Sequence, residues 1–131
     1  MKTYAKLDAS VERVAKVIVD AGMEVHRTLG PGLLESVYER SLAFELEARG
    51  LQVDRQVIVP ATYKGLQFSY GFRLDLLIER QVIVEIKAVS VLLTAHRAQV
   101  LTYLKLMGLR LGFLMNFHAP ILKNGIKRII L

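Results

Sequence analysis

One stretch of the sequence carries two charged residues inside a segment that otherwise has the composition of a buried strand. Residues Val82–Val89 read VIVEIKAV, a β-branched run that is interrupted by Glu85 and Lys87. Side chains alternate between the two faces of a strand, so both charged residues point to one side and the apolar residues point to the other. A carboxylate and an ammonium group on a strand of this kind need a compensating partner nearby.

The preceding segment places another acid in similar surroundings. Residues Tyr70–Glu79 predict a strand that includes Asp75, and the polar stretch 79–81 predicts a hairpin loop. Antiparallel pairing then sets Asp75 opposite Glu85, to within one residue, and like charges facing each other destabilise a sheet. A divalent cation between them turns the repulsion into coordination, since magnesium prefers oxygen ligands. Lys87 would lie beside a metal-bound water, an arrangement suited to metal-assisted phosphodiester hydrolysis.

These residues resemble the signature of a known group of nucleases. Asp75, followed by the tripeptide EIK at 85–87, is similar to the catalytic motif of the PD-(D/E)XK nuclease superfamily. The segment Gly32–Tyr38, GLLESVY, matches the motif that gives the GxxExxY family its name. The resemblance covers the chain from about Val11 to the C-terminus. One departure is that Arg-Leu, at 73–74, stands where the superfamily name puts a proline.

The resemblance implies a fold, an activity and a set of ligands. The implied fold is α/β, a restriction-endonuclease-like mixed β-sheet flanked by helices, with an αβββαβ core and here an extra N-terminal helix. The implied activity is magnesium-dependent hydrolysis of nucleic acid, with DNA favoured and manganese as a substitute metal. The implied metal ligands are Asp75, Glu85, Glu35 and the backbone carbonyl of Ile86, with Lys87 as the catalytic ammonium group.

Glu35 and four residues near position 100 carry two interpretations each. An acid in the first turn of a helix is stabilised by the helix dipole alone, and the residues by themselves favour that role for Glu35. The resemblance favours a metal-site role instead. Gln99 and Tyr103 share a helix face and resemble the Q-x-x-x-Y element of exonuclease-type members, although they also suit the edge of an amphipathic helix. His96 and Arg97 are predicted to meet phosphates or to be solvated.

Composition limits the class of protein further. The chain has 131 residues, which predicts one domain over 1–131, and 53% of them are hydrophobic, which favours a partner such as a second copy of the chain. It has no cysteine, so any metal must be held by oxygen or histidine. A net charge of +6 favours a polyanionic partner. We expect no membrane association and a cytoplasmic location, since no apolar segment reaches about 20 residues and the start lacks a signal-peptide core.

The hydrophobic periodicity predicts the order α-α-β-β-β-α-β-β. The predicted helices are 11–28, 33–49 and 95–107, with Ser10 and Thr94 as caps of the first and third. The predicted strands are 53–62, 66–79, 82–89, 110–116 and 126–131, with a turn at 63–65 and a loop at 117–125. The first three form a meander, the strand at 110–116 is expected to run parallel to its neighbour because a helix connects them, and Lys127 and Arg128 are expected to point outward. We expect Tyr38 to pack in the core and His26 to complement the helix dipole.

Two alternatives to a nuclease remain open from the sequence. The first is a nucleic-acid-binding or protein-interaction module that keeps the fold without turnover. The second treats Glu85 with Lys87, and Asp75 with Arg73, as surface ion pairs on a solvated sheet face. Acidic groups that lie more than about 10 Å apart would support this second reading, because a metal reaches its oxygen ligands at only about 2.0–2.6 Å.

Overall fold

The computed structural model describes residues 6–69 and 72–131. The helices are α1 (Ala9–Leu29), α2 (Glu35–Ala48), α3 (Thr94–Met107) and α4 (Leu122–Gly125). The strands are β1 (Val53–Ile58), β2 (Ala61–Tyr63), β3 (Leu66–Phe68), β4 (Arg73–Ile78), β5 (Val82–Lys87), β6 (Leu111–Asn116) and β7 (Ile126–Ile130). A mixed sheet flanked by helices results, which confirms the predicted fold class.

The main sheet has five strands in the spatial order β1-β4-β5-β6-β7. β5 and β6 run parallel, and the other neighbouring pairs are antiparallel. Parallel neighbours need a crossover connection, which α3 provides between β5 and β6. The predicted parallel relation of these two strands is confirmed.

The turn between β4 and β5 sets the register on which the candidate site depends. Glu79 and Arg80 both have positive φ, at 52° and 53°. Two consecutive left-handed residues make a type I′ turn, whose twist matches that of an antiparallel pair. The turn confirms the predicted loop at 79–81, and it places Leu76 opposite Val84.

Helices cover both faces of the sheet. α1 and α2 pack on one face, against a cluster that contains Val84 and Ile86 of β5. α3 packs on the other face, in a second cluster that contains Ile83. β5 is therefore buried on both sides, which explains its nearly unbroken apolar sequence. Among the described residues, no helix combines the length and the apolar character needed to cross a bilayer.

The predicted helix caps are wrong. The N-cap of α1 is Asp8, whose carboxylate accepts a hydrogen bond from the N–H of Ser10 at 2.8 Å. The N-cap of α3 is Leu93, whose N–H donates to the Nδ1 atom of His96 at 3.0 Å, so Thr94 is the first helical residue. In both helices a side chain near the predicted cap satisfies a free backbone group, as capping requires. α2 begins two residues later than predicted.

The predicted meander contains an additional hairpin. β1 ends at Ile58, and β2 and β3 form a separate two-stranded sheet instead of extending their neighbours. Pro60, which has no N–H to donate to a ladder, stands at the break between β1 and β2. The predicted turn at 63–65 is confirmed by the positive φ values of Lys64 and Gly65. Positions 70 and 71 of the long predicted strand lie outside the described residues.

The C-terminal part follows the prediction except for one short helix. The predicted loop at 117–125 contains α4, a single turn at 122–125. β7 pairs antiparallel with β6, and Lys127 and Arg128 are exposed as predicted.

Candidate active site

Asp75 and Glu85 face each other where the regular ladder between β4 and β5 stops. The last backbone pair is Leu76 with Val84, so the next residues of the two strands are these two acids. The N–H of Asp75 donates to Glu85 Oε1 at 2.8 Å, and the N–H of Ile86 donates to Asp75 Oδ2 at 2.8 Å. Each carboxylate thus bonds the opposite backbone. The predicted pairing of the two acids across the hairpin is confirmed.

The surroundings of Glu85 disfavour its charged form. Glu85 is only 4% exposed, and burial raises the pKa of its carboxyl group from 4.5 to about 8. The negative charge of Asp75 contributes to the same rise of this pKa, and the positive charge of Lys87 opposes it without cancelling it. The pair of acids is therefore short of positive charge, which argues against a set of balanced surface ion pairs.

The sheet is irregular at Asp75 on its other side as well. Leu76 packs in the cluster under α1 and α2, whereas Leu74 packs in the cluster under α3. Residues two apart on a regular strand would share a face. On β1, Gln56 has a φ of 52° and is missing from the ladder, between the pairs made by its two neighbours. Asp75 therefore lies where regular pairing is interrupted towards both neighbouring strands.

Glu39 of α2 holds the irregular part of β1 in place. It is 7% exposed, and its Oε2 accepts a hydrogen bond from Arg55 Nη2 at 2.9 Å. Its Oε1 accepts another from the side-chain amide of Gln56. The sequence prediction missed this residue, although a signal was present: Glu39 lies three and seven residues before Leu42 and Leu46, on the apolar face of α2.

We expect Glu39→Ala to lower the free energy of unfolding by about 3 kcal/mol. The substitution removes a buried carboxylate that accepts two hydrogen bonds, and it leaves the side chains of Arg55 and Gln56 without this partner. Urea denaturation measures this change. Glu47→Ala is the matched control, since Glu47 is exposed on the same helix and forms no ion pair with a described residue. Equal losses in the two variants would contradict the proposed role.

Lys87 lies on the same sheet face as Glu85, two residues further along β5. It is half-buried, and its charge acts on Glu85. Its backbone carbonyl accepts a hydrogen bond from the N–H of Phe117 at 2.8 Å, which anchors the end of β5. The structure thus gathers a carboxylate pair and an ammonium group on one face of two adjoining strands.

Tyr103 joins this group from α3, whereas Gln99 does not. Tyr103 is 3% exposed, and burial, followed by the charge of Glu85, raises the pKa of its hydroxyl. Its ring meets the ring of Phe72 edge to face, with 6.3 Å between the centroids. Gln99 is exposed and makes no side-chain hydrogen bond with a described residue, so its predicted partnership with Tyr103 stays a prediction.

The other two residues predicted on α3 lie at its first turn. His96 accepts the hydrogen bond that caps the helix, which gives its ring a structural role. Arg97 is exposed and makes no hydrogen bond or ion pair with a described residue. Contact of these residues with phosphates stays a prediction.

Glu35 does not join Asp75 and Glu85 in the structure. It is exposed in the first turn of α2, and that helix packs on the sheet face opposite to the one on which Glu85 lies. Within residues 6–69 and 72–131, no group of three or more acidic or histidine side chains is arranged to hold a metal ion. A metal-ligand role for Glu35 therefore stays a prediction.

Three polar side chains hold connecting segments of the chain in place. Asn116 is buried and bonds both the N–H and the carbonyl of Val89, at 3.1 Å and 2.8 Å, which fixes the chain after β5. The hydroxyl of Tyr38 donates to the carbonyl of Gly30 at 2.5 Å, and its ring stacks on Phe117. His26 Nε2 lies 2.8 Å from the carbonyl oxygen of Ala119, linking α1 to the loop after β6. Asn116 was not predicted, and the signal for it was a polar residue that ends an apolar strand.

The donor set fits a magnesium ion. One oxygen of each carboxylate is held by a backbone N–H, and the other oxygen of Asp75 and of Glu85 accepts no hydrogen bond from a described N–H group. Magnesium needs only one or two carboxylates, because water and substrate phosphates complete its shell. Two facing carboxyl groups meet this requirement without a third acid.

A mixed sheet with paired acids and a lysine on adjoining central strands has the architecture of a restriction-endonuclease-like domain. A family model of the PD-(D/E)XK nuclease superfamily matches residues 12–129. This match spans most of the chain, and the protein belongs to that superfamily. The comparison with curated proteins and the comparison with solved structures each gave no significant match.

Proposed function

We propose that this protein is a metal-dependent nuclease that hydrolyses phosphodiester bonds in nucleic acid, with DNA as the favoured substrate. The observation that carries the proposal is the pairing of Asp75 with Glu85 at the break in the ladder, with Lys87 on the same face. Two acids and a lysine in this arrangement suit metal-assisted hydrolysis better than they suit a purely structural sheet.

Each residue has a defined part in this mechanism. Asp75 and Glu85 would hold magnesium or manganese, with the carbonyl of Ile86 as a further ligand. Glu35 does not lie with these two acids, so its proposed contact with the ion would be bridged by water and not direct. A bound divalent ion lowers the pKa of a coordinated water and withdraws charge from a phosphate. Lys87 offers a compact positive charge that orients the attacking water and stabilises charge that builds on the phosphate oxygens. Tyr103, with Gln99 beside it on α3, would position the strand.

The overall charge supports a polyanionic substrate. The net charge of +6 attracts nucleic acid through phosphate neutralisation and counterion release.

The proposal includes a narrower family and a location. The assignment to the GxxExxY family rests on the motif at 32–38, and we propose a cytoplasmic location for the protein. A second copy of the chain is also proposed as a partner, because Leu34 and Phe44 leave 74% and 75% of their surfaces exposed.

A second candidate function is a binding module without turnover. The observation that favours it is the lack, within the described residues, of a metal-binding group of three acidic or histidine side chains. Isothermal titration calorimetry with magnesium distinguishes the two candidate functions. A nuclease should bind the ion through the carboxylate pair, whereas a module that only binds nucleic acid has no use for it.

Labelled single- and double-stranded DNA and RNA, incubated with magnesium or manganese, provide the direct test. We expect cleavage that stops in EDTA, returns with added metal, and disappears in Asp75→Asn. Asn keeps an oxygen that can accept the hydrogen bond of the Ile86 N–H but has lost the negative charge that would bind the ion. Cleavage by Asp75→Asn at the wild-type rate, or no cleavage of any substrate by the wild type, would refute the nuclease proposal.

A further inference from the structure

The hairpin made by β2 and β3 stands apart from the main sheet. Its strands pair with each other from the Ala61–Phe68 pair to the Tyr63–Leu66 pair, and they form a sheet of their own. The turn at Lys64 and Gly65 reverses the chain at the tip. An isolated two-stranded hairpin gains little stability by itself, so its presence calls for another explanation.

The side chains of this hairpin suit a nucleic-acid partner. Residues 55–74 contain three basic and four aromatic residues and no Asp or Glu. Near the tip, Tyr63 is 63% exposed and Leu66 is 57% exposed. The ammonium group of Lys64 lies 5.4 Å from the centroid of the Tyr63 ring. An exposed ring beside a positive charge, on a segment without acids, offers a stacking surface for a base and a contact for a phosphate.

The root of the hairpin lies beside the candidate site. The N–H of Val59 donates to the carbonyl of Phe72 at 2.8 Å, which continues the ladder between β1 and β4 up to the hairpin. Phe72 stands three residues before Asp75, a distance of about 10 Å along an extended strand. Its ring, 36% exposed, contacts the ring of Tyr103. Burial, together with the charges of Glu85 and Asp75, raises the pKa of the Tyr103 hydroxyl, so this hydroxyl lies near the two acids. Exposed aromatic surface is thus present both at the tip and at the edge of the site.

We propose that the β2–β3 hairpin is a stacking arm that binds unpaired nucleotides and leads a single-stranded segment towards Asp75 and Glu85. Bases inside a duplex already stack on their neighbours, so Tyr63 and Phe72 can bind only bases that are exposed on at least one face. Lys64 and Arg73 would contact the backbone phosphates. This inference rests on the proposed function, since it names the form of nucleic acid that the same site would receive.

Binding in EDTA tests the stacking arm without any hydrolysis. Fluorescence anisotropy of a labelled 20-nucleotide strand, alone or annealed to its complement, gives the two affinities. We expect the single strand to bind more tightly than the duplex, and Tyr63→Ala to weaken single-strand binding by about tenfold while duplex binding stays unchanged. Tyr63→Phe should keep the affinity, because the ring remains. Ile121→Ala is the control, since Ile121 is an apolar residue outside the hairpin that is 62% exposed, close to the 63% of Tyr63.

Two further measurements report on the mode of contact. A strand that carries 2-aminopurine should lose fluorescence on binding through stacking, and Tyr63→Ala should restore that fluorescence. The logarithm of the binding constant for the single strand should fall linearly with the logarithm of the salt concentration. Lys64→Ala should make this slope shallower by about 0.7, the effect of losing one phosphate contact. Far-UV circular dichroism checks that each variant is folded.

The outcomes separate this inference from the nuclease proposal. Equal affinities for single strand and duplex, or an equal loss for both in Tyr63→Ala, would overturn the stacking arm even if the protein cleaves DNA. A single-strand preference that depends on Tyr63, in a protein that cleaves nothing, would uphold the arm and leave the binding module as the function.

Discussion

Replacing Lys87 by alanine is expected to slow magnesium-dependent cleavage by about 10³-fold, the cost of removing a group that stabilises charge developing in a transition state. The half-buried ammonium group lies on the face of the carboxylate pair and acts on the charge of Glu85. It is not a metal ligand, so calorimetry should show magnesium binding that is unchanged or slightly tighter. The measurement is therefore kcat/KM for cleavage beside the dissociation constant for magnesium.

Two variants act as controls for this prediction. Lys87→Arg keeps the positive charge in a larger planar group, and we expect it to recover part of the rate. Lys16→Ala removes an exposed lysine on α1, and it should cleave like the wild type. Cleavage by Lys87→Ala within tenfold of the wild type would remove this residue from the mechanism. Loss of magnesium binding in the same variant would point to a structural defect instead.

The stability of the metal-free protein is expected to fall as the pH rises from about 4.5 to about 8, and Glu85 is the cause. Below this interval the carboxyl group is protonated in both the folded and the unfolded chain. Within it, the unfolded chain ionises while burial and Asp75 keep the folded carboxyl group protonated, so proton loss favours unfolding. A pKa raised from 4.5 to about 8 corresponds to a loss on the order of 5 kcal/mol in the free energy of unfolding.

Urea denaturation in EDTA at pH 5, 7 and 9 measures this loss. Glu85→Gln should lack the decline, because its amide cannot ionise while its oxygen can still accept the hydrogen bond from the Asp75 N–H. Magnesium should raise the stability of the wild type at pH 9 and should have little effect on Glu85→Gln. Parallel pH profiles for the two proteins would show that Glu85 does not titrate as its surroundings suggest.

The pairing of the two acids could be predicted from the sequence because it depends on local chemistry. The polar segment at 79–81 between two apolar runs specified a short hairpin, and a hairpin of known loop length fixes the register. Asp75 and Glu85 then had to face each other, and alternation put Lys87 on the same side. The parallel relation of β5 and β6 followed in the same way from the helix that separates them.

The contacts made by Glu39 could not be predicted, because they join parts of the chain that are distant in sequence. Arg55 and Gln56 follow Glu39 by 16 and 17 residues, and nothing local specifies that α2 packs against this part of β1. The left-handed conformation of Gln56 could not be predicted either, because position 56 carries neither glycine nor asparagine, the residues that favour a positive φ. The separate hairpin was missed for another reason: alternating apolar residues look alike in one long strand and in two short ones.

The sequence by itself determined the composition of the candidate site, since the spacing of residues along two strands of one hairpin fixes which side chains share a face. Only the tertiary structure decided which distant groups reach that face. It brought Tyr103 beside Glu85 and left Glu35 on a helix that packs against the opposite face. The physical reason is that alternation and turn geometry act over a few residues, whereas the placement of a helix depends on the whole apolar surface that it buries.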